Sequence, residues 1–150
     1  MAVVELLLSP LPSHVRTARL VAVAAARRAG LDDERVDELR LALGEACSRA
    51  VGLHARHLPG TPVQVTVQDD PGRLTVTVTD RGPASGPMPR DVAEDMLGGP
   101  GDDDPEAVDP AVALAVVTTL VDDVRVVPSA DGTEVTMRWP LAARMPPGVP

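Results

Sequence analysis

Lysine is absent from this 150-residue chain, and cysteine occurs once, at Cys47. Without lysine, the chain cannot carry the Walker-type loop in which a lysine reaches the phosphates of a bound nucleotide. A single cysteine cannot form an internal disulfide, and we interpret Cys47 as a small core residue because its helix neighbours are mostly apolar. His54 and His57 share a helix end. No third ligand follows at a spacing that suits a metal, so we interpret both as helix-end residues.

Long apolar runs and positive charge are also scarce. No apolar run reaches the roughly 18 to 20 residues that a membrane span needs, and residues 1–12 lack the basic start and cleavage site of a secretory signal. We therefore expect a cytoplasmic protein that does not bind a membrane. The formal net charge of -8 repels phosphate backbones, which argues against nucleic acid and favours a protein partner.

The composition, 44% hydrophobic, fits one compact domain, which we expect over residues 1–143. Residues 81–109 are rich in glycine, proline and aspartate, and we predict a flexible loop there with a short helix near 90–97. Within it, the segment 90–110 contains eight acidic residues and Arg90, a net charge of -8 + 1 = -7. Whether this segment is an ordered lid, a solvated spacer or a decoy surface stays open. We expect residues 144–150 to form a disordered tail.

Hydrophobic periodicity divides the rest of the chain into helices and strands. A strand over residues 3–8 ends at prolines, Ser13 is placed to cap the first helix, and Gly30 ends that helix. The later elements are a helix, two hairpin strands, a helix and two more strands, over residues 31–53, 62–68, 73–79, 110–121, 124–127 and 133–139. This order predicts an α+β fold of two layers, in which a mixed, mostly antiparallel sheet carries its helices on one face.

Three stretches of the chain carry a resemblance to a known family. They are Glu45-Ala46-Cys47-Ser48-Arg49-Ala50 with His54 after it, the strand end Val78-Thr79-Asp80-Arg81-Gly82, and the block over residues 111–124 with Gly132-Thr133. In order, spacing and element type, they resemble the anti-sigma-factor serine kinases of the histidine-kinase-like ATPase superfamily, from about residue 9 to residue 141. The resemblance implies a two-layer Bergerat-type sandwich and a homodimer.

The resemblance also implies roles for individual residues. Glu45 matches the glutamate that acts as general base when the kinase phosphorylates a serine on an anti-anti-sigma factor, which is a STAS-domain protein. Asp80 matches the aspartate that binds the adenine amino group, and Gly82 matches the first glycine of a box that wraps the phosphates. Arg19 matches the arginine that contacts the sigma factor, and Arg16 lies one turn earlier. The plainer alternative is that both arginines are ordinary exposed helix charges.

The sequence departs from the family at several of these positions. Arg49 stands where the family has the asparagine that holds magnesium, and arginine has five donors and no acceptor. Alanines stand where the glycine boxes continue, at Ala84, Ala111 and Ala113. Alanine reaches a left-handed conformation only at a cost of roughly 1 to 2 kcal/mol, so it suits a plain helix better than a phosphate loop.

Alternatives remain open at two residues. Arg49 could form a solvated i, i+4 ion pair with Glu45, could plug the old site, or could replace the metal by touching an anionic ligand directly. Asp80 could simply close the turn to Gly82, or it could bind a donor group on a ligand, with Arg49 and Gly82 beside it.

The function we expect is a degenerate anti-sigma regulator. It would sequester a sigma factor, an anti-anti-sigma factor or both by stoichiometric binding, without a cofactor, without a metal and without kinase activity. One alternative is an active serine kinase that uses ATP and magnesium. Another is an interaction module that senses a small-molecule effector in the vacated nucleotide pocket.

Overall fold

The computed structural model describes residues 2–83 and 110–141, and the helices and strands follow the predicted order. They are β1 (Ala2–Leu8), α1 (Pro12–Ala29), α2 (Asp33–His57), β2 (Val63–Asp70), β3 (Arg73–Asp80), α3 (Pro110–Leu120), β4 (Asp123–Ser129) and β5 (Gly132–Pro140). The predicted helix near 90–97, most of the predicted loop and the tail over 144–150 lie outside the described residues. The predictions made for them stay predictions.

The five strands form one sheet in the order β1-β2-β3-β5-β4. Every strand pair in the described part of the chain is antiparallel, and β4 with β5 and β2 with β3 form hairpins. Along β2, the residues Val63, Val65 and Val67 are buried, whereas the residues between them are half-buried on the other face. Helices α1 and α2 pack on the buried face and α3 packs on α2, so the predicted two-layer α+β fold is confirmed.

Helix α2 lies at the centre of the core. Its buried face includes Leu39, Leu43 and Cys47, each fully buried, which agrees with the interpretation of Cys47 as a core residue. The only tryptophan of the chain, Trp139 in β5, is 1% exposed and donates a hydrogen bond from Nε1 to Glu38 Oε1 of α2 at 3.0 Å. This bond ties the sheet to the central helix over 101 positions of sequence.

The prediction that Ser13 caps α1 is wrong. The N-cap residue is Leu11, in extended conformation and without a side-chain cap, and Pro12 is the first helical residue. A residue before proline is held in the extended region, and proline suits the first helical position because that N–H needs no partner there. Ser13 therefore lies within the first turn. Gly30 ends α1 as predicted, with φ of 95° in the left-handed region.

Helix α2 is longer than predicted. Asp32 caps it by accepting a hydrogen bond from the Arg35 backbone N–H at 3.0 Å, and the helix continues past residue 53 to His57. The Pro59-Gly60 pair, which the sequence marks as a break, follows directly. Among residues 2–83 and 110–141, no helix is both long enough and apolar enough to cross a membrane.

Candidate functional site

The candidate site lies where the second half of α2 packs against the end of β3. Arg49 projects from the buried face of α2 and Asp80 is the last residue of β3. The Arg49 Nη1 atom lies 2.7 Å from Asp80 Oδ2, and each side chain is only 1% exposed. Charged side chains are rarely buried this deeply unless an opposite charge compensates them. The pair is therefore a structural feature of the interior and not a surface contact.

The second carboxylate oxygen of Asp80 also has a partner. Asp80 Oδ1 accepts a hydrogen bond from the Gly82 backbone N–H at 3.0 Å. This contact closes the turn at the end of β3, which is one of the two roles that the sequence left open for Asp80. That Asp80, Arg49 and Gly82 bind a ligand stays a prediction.

The possibility that Arg49 belongs to a solvated helix pair with Glu45 is wrong. Arg49 is 2% exposed and its guanidinium contacts Asp80, whereas Glu45 is half-buried on α2. Local spacing favours the pair with Glu45, but packing of α2 on β3 brings a buried carboxylate of opposite charge within contact distance. That Arg49 plugs the former site, or that it touches an anionic ligand directly, stays a prediction. Whether Glu45 acts as a base stays a prediction.

His54, which the sequence predicts only as a helix-end residue, is part of the site. It lies in the last turns of α2 and is fully buried. Its Nε2 atom accepts a hydrogen bond from the Arg81 backbone N–H at 2.8 Å, so its Nδ1 atom carries the proton and donates to the Thr61 carbonyl oxygen at 2.8 Å. His54 thus joins the end of α2 to the loop before β2 and to the turn after β3. Its match to a family histidine was the only signal in the sequence.

The β4–β5 hairpin closes the site from the other side. Gly132 has φ of 139°, and a Cβ atom added there would overlap the Asp80 backbone oxygen and lie 2.7 Å from Arg81 Cα. Only glycine permits this close approach of two backbones. The hairpin therefore fixes the position of the β3 end that carries Asp80.

The two predicted partner-binding residues lie on α1. Arg16 is exposed, and Arg19 is half-buried. The Arg19 side chain lies across Gly44 of α2, where a Cβ atom would lie 3.3 Å from Arg19 Cδ. The stem of Arg19 therefore contributes to the packing between α1 and α2 in addition to any role in binding. That either arginine binds a partner stays a prediction.

A family model described as the histidine kinase-like ATPase domain matches residues 8–139. The chain belongs to this family. Among curated proteins, no sequence matches the chain significantly.

Solved structures share the histidine kinase-like ATPase fold with this chain. One is the crystal structure of the RsbU and RsbW domains of Rv1364c from Mycobacterium tuberculosis, at 19% identity and a TM-score of 0.64. The match covers 96% of this chain and 34% of that chain, so this chain spans about a third of its length. Another is the mycobacterial sensor histidine kinase MprB, at 20% identity and a TM-score of 0.51, covering 93% of this chain and 97% of that chain.

Magnesium does not fit the position that the family resemblance assigns to its ligand. The ion needs oxygen ligands, and Arg49 presents only donors, of which Nη1 contacts Asp80 Oδ2. Within the described ranges, no group of three histidine, cysteine, aspartate or glutamate side chains could hold a metal ion. The positively charged guanidinium of Arg49 would also repel a dication. No step that uses magnesium follows from this arrangement.

The segment that the resemblance assigns to phosphate binding is helical where the structure describes it. Helix α3 is regular from Pro110, and Ala113 is fully buried in it while α3 packs on α2. The predicted plain helix over 110–121 is thus confirmed to within one residue. Ala84 lies outside the described residues. Ala111 and Ala113, where the resemblance implies glycines, are thus residues of a helix.

Proposed function

We propose that this chain is an anti-sigma regulatory protein that captures a sigma factor, a STAS-domain anti-anti-sigma factor or both by stoichiometric binding. In this proposal, ATP binding in the family's way and kinase activity are lost, while the surface that holds the partner remains. The observation that carries the proposal is the buried contact between Arg49 Nη1 and Asp80 Oδ2 at 2.7 Å.

The buried pair opposes nucleotide binding because its carboxylate is already engaged. Asp80 already accepts hydrogen bonds from Arg49 and from the Gly82 backbone, so an adenine amino group would have to displace one of them. Separating a buried ion pair costs about 3 to 5 kcal/mol because a charge is left uncompensated. A ligand of micromolar affinity has only about 8 kcal/mol of binding free energy in total. The cost of separating the pair would therefore cancel a large part of the binding free energy of a nucleotide.

The residues proposed to bind the partner lie on a different element from the buried pair. Arg16 and Arg19 lie on α1, whereas Arg49 lies on α2 and Asp80 ends β3. An exposed arginine such as Arg16 can bind a carboxylate of a partner through two parallel hydrogen bonds. A family member can thus lose its nucleotide chemistry and keep a protein-binding face.

Calorimetric titration with ATP and ADP, with and without magnesium, tests the loss of nucleotide binding. We expect no heat of binding at millimolar nucleotide. Arg49→Asn restores the metal ligand but leaves Ala111 and Ala113 in helix α3, so we expect little recovery. Tight magnesium-dependent binding by the native chain would contradict the proposal and favour an active serine kinase.

Capture of partners from the native lysate tests the binding function. We expect a sigma factor or a STAS-domain protein, identified by mass spectrometry; recovery of neither contradicts the proposal. Arg16→Glu and Arg19→Glu should weaken the complex by about tenfold or more, whereas Arg40→Glu, which reverses an exposed charge on α2, is the matched control. Because Arg19 packs on Gly44, Trp139 fluorescence should confirm that each variant is folded. Equal affinity in all four proteins would mean that α1 is not the binding face.

A further inference from the structure

Strand β1 forms one edge of the sheet and pairs with β2 along all seven of its residues, without a bulge. Within residues 2–83 and 110–141, no strand pairs with the other side of β1. Successive residues of an antiparallel strand direct their N–H and C=O groups to alternate sides, so about half of the residues of β1 present both groups to this outer side. The outer side of β1 is therefore a template on which an extended segment can form backbone hydrogen bonds.

The two edge strands of the sheet differ in how well they are protected from such pairing. Strand β4, on the opposite edge, contains Pro128, which has no N–H, and the charged Arg125. In β1, six of the seven residues are hydrophobic and Glu5 is the only charged one. Val3 and Leu7, which share the sheet face opposite the helices with Glu5, are 53% and 65% exposed. A regular edge strand with exposed apolar side chains favours the addition of another strand.

The charge of Glu5 determines which segment fits this edge. Two copies of β1 that paired antiparallel over their full length would place Glu5 opposite Glu5, and like charges at directly opposite positions destabilise a strand pair. A shift of two residues would place Glu5 opposite Val3 or Leu7 and would shorten the pairing. A lysine or arginine of a different protein forms an opposite-charge pair with Glu5 at the same position. The net charge of -8 adds a long-range attraction for a basic segment.

We propose that β1 is a docking site for an extended basic segment of a partner protein, which adds to the sheet as a further strand antiparallel to β1. The segment carries a lysine or arginine opposite Glu5 and β-branched apolar residues opposite Val3 and Leu7. Antiparallel addition continues the pattern of the sheet, in which every described strand pair is antiparallel. The inference goes beyond the proposed function, because it rests on β1 and not on Arg16 and Arg19 of α1. An extended segment loses conformational freedom when it binds, so we expect a weak complex.

Two designed peptides test the charge requirement. Both have threonine at the first, third, fifth and seventh positions and valine at the second and sixth; the fourth position is lysine in one peptide and glutamate in the other. In calorimetric titrations up to millimolar peptide, we expect the full chain to bind the lysine peptide about fivefold more tightly than the glutamate peptide. Glu5→Lys should reverse this preference. Glu134→Lys makes the same change in net charge at an exposed residue of β5, so this matched control should still prefer the lysine peptide.

Hydrogen exchange of the backbone amides locates the bound peptide. The lysine peptide should slow the exchange of alternate amides in β1 and leave the amides of β4 unchanged. Binding of neither peptide, equal affinity for both, a preference that Glu5→Lys leaves unchanged, or protection of β4 in place of β1 would each overturn the proposal. Protection of the same β1 amides without peptide would also overturn it. If that protection rises with the concentration of the chain, a second copy occupies the edge; if it does not, residues of the chain itself cover the edge.

Discussion

At the scale of single residues, buried polar groups define the chemistry of the site. Arg49 and Asp80 compensate each other's charge, and His54 uses both ring nitrogens for backbone groups of neighbouring segments. Each of these groups is costly to bury alone, since an unpaired buried charge or donor loses its bonds to water. These residues therefore stabilise the fold only together with their partners. Substitution of one partner and substitution of both partners should differ in their effect on stability.

Removal of one charge from the buried pair should destabilise the protein strongly. Asp80→Asn keeps an oxygen for the Gly82 N–H but removes the negative charge that lies 2.7 Å from Arg49 Nη1 in the interior, so we expect a loss of about 3 kcal/mol in the free energy of unfolding. The double variant Arg49→Met with Asp80→Asn should recover much of this loss. Urea unfolding followed by Trp139 fluorescence measures both. The control Asp37→Asn, which breaks an exposed pair with Arg40, should cost less than about 1 kcal/mol. An equal cost for Asp80→Asn and Asp37→Asn would contradict the burial argument.

Cys47 should make stability depend on alkaline pH. Burial raises the pKa of its thiol from 9.0 to about 12, and the positive charge of Arg19 offsets this only in part. Above pH 9 the unfolded chain loses the thiol proton while the folded chain keeps it, so stability is lost as pH rises from 9 toward 12, by about 1.4 kcal/mol per pH unit at most. The chain has no tyrosine and no lysine, so no other side chain with a pKa near this range obscures the effect.

The free energy of unfolding, measured in urea at a series of pH values, checks this prediction. The native chain should lose stability above pH 9, and Cys47→Ala should show a flatter profile over the same range. The substitution lowers stability at every pH because it leaves a small cavity, so the comparison concerns the slope alone. Parallel profiles for the two proteins would show that the thiol ionises as easily in the folded state as in the unfolded state.

At the scale of elements, the β4–β5 hairpin and the end of β3 form one unit. Thr133 pairs with Asp80 in the β3–β5 register, and Gly132 lies against the Asp80 carbonyl. The turn to Gly82 and the bond from the Arg81 N–H to His54 hold the same segment from the helical side. The position of Asp80 is therefore determined by three elements at once, which gives the buried pair a fixed geometry.

The loss of stability on substitution of three glycines by alanine should follow how little space each added Cβ atom has. Gly132→Ala should be the most damaging, with a loss of several kcal/mol or failure to fold, because φ is 139° and the added atom meets the Asp80 backbone. Gly82→Ala should be intermediate, since its Cβ would lie 3.0 Å from Leu53 Cβ. Gly60→Ala has nothing within 4 Å and should be nearly neutral. Thermal unfolding of the three variants checks the order, and a tolerated Gly132→Ala would contradict this account of the hairpin.

At the scale of the whole molecule, the layers and the element order could be predicted from sequence because their signals are local. Alternation along β2 and β3, and the stops at Gly30 and at Pro59-Gly60, are properties of short segments. The contacts of the site could not be predicted in the same way. Arg49 has a favourable neighbour four residues away, but its partner lies 31 residues along the chain and meets it only when α2 packs on β3. The hydrogen bonds of His54 go to backbone groups, and the residue types at those positions do not predict them.

The shared core predicts that the described layers unfold together. Helix α2 packs against α1, α3, β2 and β3, and Trp139 of β5 is bonded to Glu38 of the same helix. No layer can separate without exposing the buried faces of the others, so we expect a single two-state transition in urea. Trp139 fluorescence and far-UV circular dichroism, recorded at low protein concentration to exclude association, should give coincident curves. Glu38→Gln keeps an acceptor for Trp139 and should preserve the coincidence. A fluorescence change that precedes the loss of helix would mean instead that β5 leaves α2 while the helices remain folded.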